Sequence, residues 1–565
     1  MKQLRWQILV VLVTLVIVAV LLFSTQSPGV DNVIQSQPEQ GGVYTEGLVG
    51  SLGRLNPLLD WNNQADRDVD RLLFNGLIRF DERGLPQADL ADAWGSTPEG
   101  TVYNVAIRQN AFWHDGTPVT SDDVIFTINM MKSIGSLYPQ DIKDLWGKIE
   151  VTQLNDKTLK FTLPEPFVPF LDYLTFGVVP KHLLDSVSPD QMQTADFNIH
   201  PVGTGPYKFD RLLVEKGQIV GVVLTVFNNF YRPAAFIEQV VFRYYPTSGE
   251  AMDAYEQGDV FAVSHISTDV LNKALEEPNL NFYTSRLPQI GFVMFNLNNT
   301  EVPFLQDAKV RRALMLGLNR QYIINTFLHG QAILADSPIL PNSWAHYDGI
   351  EKIDYDPNAA INLLKSDGYV IPAGGGEVRA KDNVSLTFTL IHPDDELHTQ
   401  IAQLIQTEWA EIGVRVDLQP QPYDQLVLNT LASRAYQAAL VDLNLSRTPD
   451  PDPYPFWHQA EATGGQNYTQ WDNRAASEYL EQARVSADYT LRAKLYRNFQ
   501  IVFAKELPAL PLYIPVYSYG VDAQVQGVQM SPLYDPSDRF ASFASWYLLT
   551  RRALEQPEAT ATSNP

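Results

Sequence analysis

The chain of 565 residues predicts an α/β fold, on three observations. The stretch 386–418 reads strand, helix, strand, and so short a unit implies a parallel pair bridged by its own helix. Alternating and helical hydrophobic periodicities follow one another along most of the chain. After Phe23 no run is apolar enough to cross a bilayer.

The N-terminus stands apart. Lys2 and Arg5 form a basic region over 1–7, and 8–23, "ILVVLVTLVIVAVLLF", is apolar with one hydroxyl, Thr14. A basic flank before such a run reads as an export signal or signal-anchor helix. No A-x-A site follows, and there is no cysteine to carry a lipid. The expectation is an uncleaved anchor, with release after cleavage as the alternative. Residues 24–42 are polar, rich in Gln, Pro and Gly, and read as a flexible tether; 550–565 reads as a disordered tail.

Between these ends, "VYTEGLVGSLGRLNPLL" alternates and then turns at Asn56-Pro57. In "FWHDGTPVTSDDVIFTI" a turn at 115–118 leads into a helix, with Ser121 expected as its cap. "KTLKFTL", 157–163, is a further strand. Val310, Leu314, Leu318 and Tyr322 form one helical stripe, and Ile401, Leu404, Ile405, Trp409 and Ile412 another; both read as core. A net charge of −24, from 65 acids against 41 bases, excludes nucleic acid as a partner because its phosphates would be repelled. The absence of cysteine excludes disulfides and thiolate chemistry.

"LFNGLIRFDERGLPQADLADAW", "FWHDGTPVTSDDVIFTI", "PVGTGPYKF", "FVMFNLNNTEVPFLQDAKVRRALMLGLNR", "YDPNAAINLLKSDGY" and "QTEWAEIGVRVDLQ" occur in this order. Together they resemble the family 5 extracellular solute-binding proteins, the oligopeptide, dipeptide and nickel-binding components of ABC transporters. The resemblance implies a two-lobed periplasmic-binding-protein-like fold (cluster C type) with an extra inserted subdomain. Lobe I would comprise 43–60, 190–285 and 511–549, the inserted subdomain 61–189 and lobe II 286–510. Hinge closure over a ligand would present the closed shape to a membrane permease. The TGPY motif and 292–299 would lie near that hinge. The implied protein is a monomer outside the plasma membrane, without cofactor or metal.

Ligands of open α/β sheets collect beyond the carboxyl ends of the strands. Here those ends are "IHPDDELH", which brings in His392 and His398, and the end of "AYQAALVDLNL", which brings in Asn444. The second runs into "RTPDPDPYPFWHQ", 447–459, whose four prolines rule out a helix or central strand. With the resemblance, that loop reads as a stiff wall of the cleft. Tyr454, Phe456 and Trp457 either face the ligand or plug the core of their own lobe. The resemblance adds Glu46 and Asn56 on the cleft floor and Trp61 as a stacking face, with a surface or capping role as the alternative for each.

Peptide-binding relatives resemble "GW…D…DP" at this loop, with an acid for the peptide ammonium. Alignment on Asp450-Pro451 puts Arg447 near that acid and Asn444 near the tryptophan, while His392 falls where dipeptide binders have an arginine. Such a rewritten clamp disfavours an ordinary free dipeptide, since a wrong-sign buried partner is costly. Asp442, Asp450 or Asp452 supply the acid if the local alignment shifts. The chain contains no H-E-x-x-H, G-x-S-x-G or P-loop signature, and Asp394/Asp395 carry little weight among 65 acids. The expectation is the non-catalytic binding subunit of an ABC importer for peptides. The alternatives are a non-peptide solute (an oligosaccharide or metal chelate) and a tethered peptide sensor.

Overall fold

The computed structural model describes residues 34–446 and 449–554. The basic region, the apolar segment and most of the expected tether lie outside the described residues, as do Arg447 and the chain beyond 554. Among the described residues no helix is long and apolar enough to cross a membrane.

The strand–helix–strand unit is present. Thr387–Pro393 and Arg415–Gln421 pair in parallel, with Phe388 opposite Val416 and the helix Glu396–Glu411 between them. That helix buries Ile401, Ile405 and Trp409 completely. Ala438–Asn444 adds a third parallel strand and Gln289–Phe295 an antiparallel fourth. Alternate residues enter different cores: Val293, Phe295 and Leu440 on one face, Phe292, Met294 and Val441 on the other. Burial on both faces is what a mostly parallel sheet requires.

The long strand Ala509–Asp522 follows next in the same sheet, which runs on beyond it to twelve strands. Its first part pairs with Gln289–Phe295 and Ala332–Leu334, its second with Leu280–Arg286 and Ala262–Val263. Beyond lie Val43–Val49, Gln239–Tyr245, Gln218–Val226 and Tyr207–Glu215 in that order. The change of partner falls at Pro515/Val516. The second crossing is 287–288, where Leu287 N donates to Pro515 O at 2.8 Å. Between the first and later lobe I strands sits a four-stranded antiparallel sheet, Ala91–Ser96, Val102–Ile107, Thr158–Thr162 and Glu150–Asn155, backed by the helix Ser121–Ser133.

Several expectations are corrected. The last residues of the tether and the first of the tail are paired, Ile34–Glu39 antiparallel to Leu549–Leu554, because adjacent chain ends satisfy each other's backbone groups. Thr120, not Ser121, precedes the helix: its N and Oγ1 both donate to Asp123. Tyr322 is exposed, because the helix carrying its stripe ends at Leu316. The TGPY motif is remote from the crossings, at the start of the outermost lobe I strand. Its neighbourhood seats the helix Gln64–Leu73: a Cβ on Gly203 or Gly205 would stand 1.9 or 2.2 Å from the carbonyl oxygen of Leu73 or Leu72. The Pro-rich loop does contain one helical turn, Tyr454–Trp457, since proline is tolerated in a first turn.

A buried charge cluster joins the strand Val43–Val49, the helix Gln64–Leu73 and the turn Pro536–Phe540. Arg539 makes two bonds to Asp68, at 2.7 and 2.8 Å, and donates to Glu46 at 2.7 Å. Glu46 also accepts from the hydroxyls of Tyr44 and Tyr519 at 2.6 and 2.7 Å. Burial opposes the charge on Arg539, but Asp68, Tyr517 and Glu46 outweigh it and hold its pKa above the ordinary arginine value. Removing the cation strands two buried carboxylates, which costs about 3–5 kcal/mol. Arg539→Ala should therefore lower the urea midpoint of lobe I unfolding sharply, read by tryptophan fluorescence. An unchanged midpoint contradicts this role.

Candidate functional site

A cavity of about 720 Å³ lies between the lobes. One wall is the helix Gln64–Leu73, whose Ala65, Val69, Leu72 and Leu73 enter the core. On its other side Arg67, Asp70 and Arg71, at helical spacing, reach the cavity together with Phe74 just past the end. Arg67 pairs with Asp535 at 3.1 Å and Arg71 with Asp538 at 3.0 Å, tying the helix to the turn Pro536–Phe540. Trp61 and Tyr138 line the cavity and meet edge to face, ring centres 5.3 Å apart. Lobe II supplies Asn444, Ser446, Pro449, Phe456 and Gln466.

The lining carries both signs. Asp60, Asp70, Asp141 and Asp172 contribute carboxylates. Arg79 makes no ion pair among the described residues, its Nε is buried without a hydrogen-bond partner, and burial and then Arg232 lower its pKa. A cavity of this size with a few convergent polar groups suits a small ligand.

The Pro-rich loop is clamped from behind. Asp450 receives two bonds from the buried Arg492, at 2.6 and 2.7 Å, and Asp452 pairs with Arg484 at 2.6 Å. The Arg484 guanidinium lies 3.8 Å from the centre of the Tyr454 ring, whose other neighbour is the His458 ring, stacked at 3.9 Å. Trp457 is buried against Phe292 and Phe503, ring centres 5.6 and 4.7 Å away. The loop also touches the inserted subdomain. Asp450 N donates to Asp172 Oδ2 at 2.8 Å, and Arg484 lies 5.2 Å from the Phe167 ring centre. The Pro-rich loop is thus in direct contact with the segment that carries Phe167 and Asp172.

The expected site residues divide. Trp61 and Asn444 line the main cavity, and Asp450 and Trp457 a smaller chamber beside it. Arg447 lies outside the described residues. Glu46 is corrected to the Arg539 cluster, fully buried. Asn56 is likewise buried: it donates to Asn198 Oδ1 at 3.0 Å and accepts from Leu58 N, which shapes the turn. Tyr454 lines neither space, being held between Arg484 and His458. His392 is buried, its Nδ1 2.7 Å from Pro393 O. His398 sits between Asp395, 2.7 Å from Nδ1, and Asp442, 3.3 Å from Nε2. Burial lowers the His398 pKa, but the two carboxylates reverse the effect and raise it. Neither histidine lines either of these two spaces. Sequence reading missed Asp70, Asp172, Tyr173 and Tyr534; only Asp70 had a signal, the polar stripe Arg67, Asp70, Arg71 opposite a buried one.

Comparison with known proteins gives one consistent result. The model of "Bacterial extracellular solute-binding proteins, family 5 Middle" matches residues 86–467. The oligopeptide-binding protein AppA of Bacillus subtilis is 25% identical over 523 residues, 91% of this chain and 92% of AppA. Its structure with a nonapeptide superposes with a TM-score of 0.68 at 23% identity, over 91% of this chain and all of that one, a likeness of fold. The dipeptide-binding protein of Escherichia coli is 22% identical, covering 82% of this chain and 87% of its own. NikZ of Campylobacter jejuni, solved with Ni(L-His), has a TM-score of 0.67 at 26% identity, over 89% and 99% of the two chains.

Asp172 is a strongly perturbed acid at the contact with the Pro-rich loop. Burial and then the Asp450 carboxylate raise its pKa well above the usual range, against the hydrogen bond from Asp450 N and the charge of Arg492, which lower it; Asp452 adds to the rise. An acid whose pKa rises on closing takes up a proton on closing. Contact with the loop adds the Asp450 carboxylate to the surroundings of Asp172, so closure becomes harder as pH rises. Asp172→Asn should tighten ligand binding at pH 8 and flatten its dependence between pH 5 and 8, measured by calorimetric titration. A variant with the parental slope rules this out.

Proposed function

The chain belongs to the bacterial extracellular solute-binding proteins of family 5, and we propose that it is the extracytoplasmic binding subunit of an ABC importer, taking peptides into the interlobe cavity. The observation that carries this reading is the cavity itself. It is walled by both lobes, with carboxylates and Arg79 on one side and the stiffened loop on the other. A peptide offers a match to each kind of surface: charged or polar ends, backbone amides and apolar side chains. The relatives named for oligopeptides and dipeptides support the same ligand class.

Function in this reading is capture and release without chemistry. Ligand contacts with both walls stabilise the closed form, and the permease takes the ligand when the lobes part. The apolar segment 8–23 would hold the protein at the outer face of the membrane as a monomer. A metal chelate is the second reading, favoured by the likeness to NikZ.

The test is a thermal-shift panel of tri- to pentapeptides and a nickel–histidine chelate, with mass spectrometry before and after incubation. A peptide at one hundred times its Kd should stabilise the protein by about 2.7 kcal/mol and be recovered intact. Cleaved peptide overturns the binding role, and a shift from the chelate alone overturns the peptide reading.

A further inference from the structure

We propose that the smaller chamber beside the main cavity is a side-chain pocket for a single phenolic ring, the tyrosine class of peptide residue. The proposal rests on the peptide reading above and specifies one residue of the ligand.

The chamber holds about 140 Å³ and shares Asp172, Tyr173, Phe456 and Tyr534 with the main cavity, so it is a branch of the same space. Its walls are mostly apolar: Pro451, Pro453 and Pro455 of the loop face Ile339 and Leu340, with Trp457 beside them. An apolar cavity of about 150 Å³ accepts benzene in another protein. One ring fits here, and a fused double ring does not. The walls are also held in place. Each proline fixes its own φ, and the Asp450–Arg492 and Asp452–Arg484 pairs fasten the loop from behind. A pocket so preorganised loses little entropy when filled.

The polar groups around the chamber select among rings. Asp450 and Asp452 are engaged by Arg492 and Arg484, and Asp172 accepts from Asp450 N. Asn342 and Tyr534 are different. Both line the chamber, and the Asn342 Oδ1 and the Tyr534 hydroxyl are buried with no hydrogen-bond partner among the described residues. An amide buried in that way costs about 1–3 kcal/mol until something bonds to it. A phenol hydroxyl both donates and accepts, so it satisfies either end of the carboxamide. A phenylalanine ring would fill the space and leave Asn342 unpaired. A carboxylate would meet the acids of the loop.

The experiment uses the full chain and two sets of probes: 4-methylphenol against toluene, and Ala-Tyr-Ala against Ala-Phe-Ala and Ala-Ala-Ala. Affinities are read by calorimetry for the peptides and by ligand-observed NMR for the fragments. The expected result is a preference of about tenfold for the hydroxylated member of each pair. Asn342→Leu should remove that preference and leave toluene binding in place. Leu340→Trp, which fills the chamber, should weaken both rings and spare Ala-Ala-Ala; it also guards against a misfolded first variant. Equal binding of 4-methylphenol and toluene, or a preference that survives Asn342→Leu, overturns the pocket. Tripeptides that bind without regard to the ring remove the pocket and keep the peptide reading. A 4-methylphenol preference lost in Asn342→Leu, with no tripeptide bound, keeps the pocket and removes the peptide reading.

Discussion

One strand constrains how the two halves of the molecule can move. Ala509–Asp522 is hydrogen-bonded into lobe II at its start and into lobe I at its end. At roughly 3.3 Å per residue it runs about 45 Å, so neither lobe can drift away without breaking a ladder. Motion is confined to where its partners change. There Pro515 offers a carbonyl to Leu287 but has no N–H of its own, and Val516 N donates to Gln331 O at 2.9 Å. Bending at such a point costs few hydrogen bonds, whereas bending elsewhere along the strand opens a paired edge. The cavity lies between the bodies that this strand joins, so its width is set by rotation about a narrow zone.

Much of this was legible in the sequence, for a definite reason. The unit 386–418 was readable because its helix and strands carry local periodicities, and local patterns survive without knowledge of the rest of the fold. Glu46 was misread because an acid on an alternating strand looks the same whether it faces a cleft or a buried cation. Its partner Arg539 is 493 residues away, a separation that no spacing rule spans. The histidines misled in the same way: strand ends mark where ligands gather, but His398 is occupied by Asp395 and Asp442. Asp172 gave no signal, because its importance comes from the approach of Asp450 from another lobe.

The Pro-rich loop shows how a polar segment can serve as a wall. A buried ion pair is a poor source of net stability, since desolvation consumes most of the attraction. What Asp450 and Arg492 contribute is position, because either one alone would be an uncompensated buried charge. With Asp452–Arg484 and the stacked Tyr454 and His458 they hold the loop against the helices Arg474–Val485 and Tyr489–Glu506. The aromatic content is divided accordingly: Tyr454 and Trp457 serve the anchor, and Phe456 is left for the cavity. Trp457 thus fills the core of its own lobe, as one of the two readings of these rings expects, while Phe456 lines the cavity.

The division of the cavity between the lobes is unequal, and that shapes how a ligand would close it. Lobe II contributes five lining residues, from the end of Ala438–Asn444, the loop and Gln466, while lobe I and the inserted subdomain supply the rest. A ligand seated against the helix Gln64–Leu73 would already have most of its contacts before lobe II arrives. The lobes also touch directly, through Asp172 with Asp450 and Phe167 with Arg484, so some closing energy is independent of ligand. A ligand shifts the balance only by the contacts it makes in the closed form and not in the open one. Those contacts are the few from lobe II. Discrimination between ligands at the moment of closure therefore falls on Asn444, Phe456, the loop and, in the smaller chamber, Asn342, while the larger surface opposite governs whether a ligand is held at all.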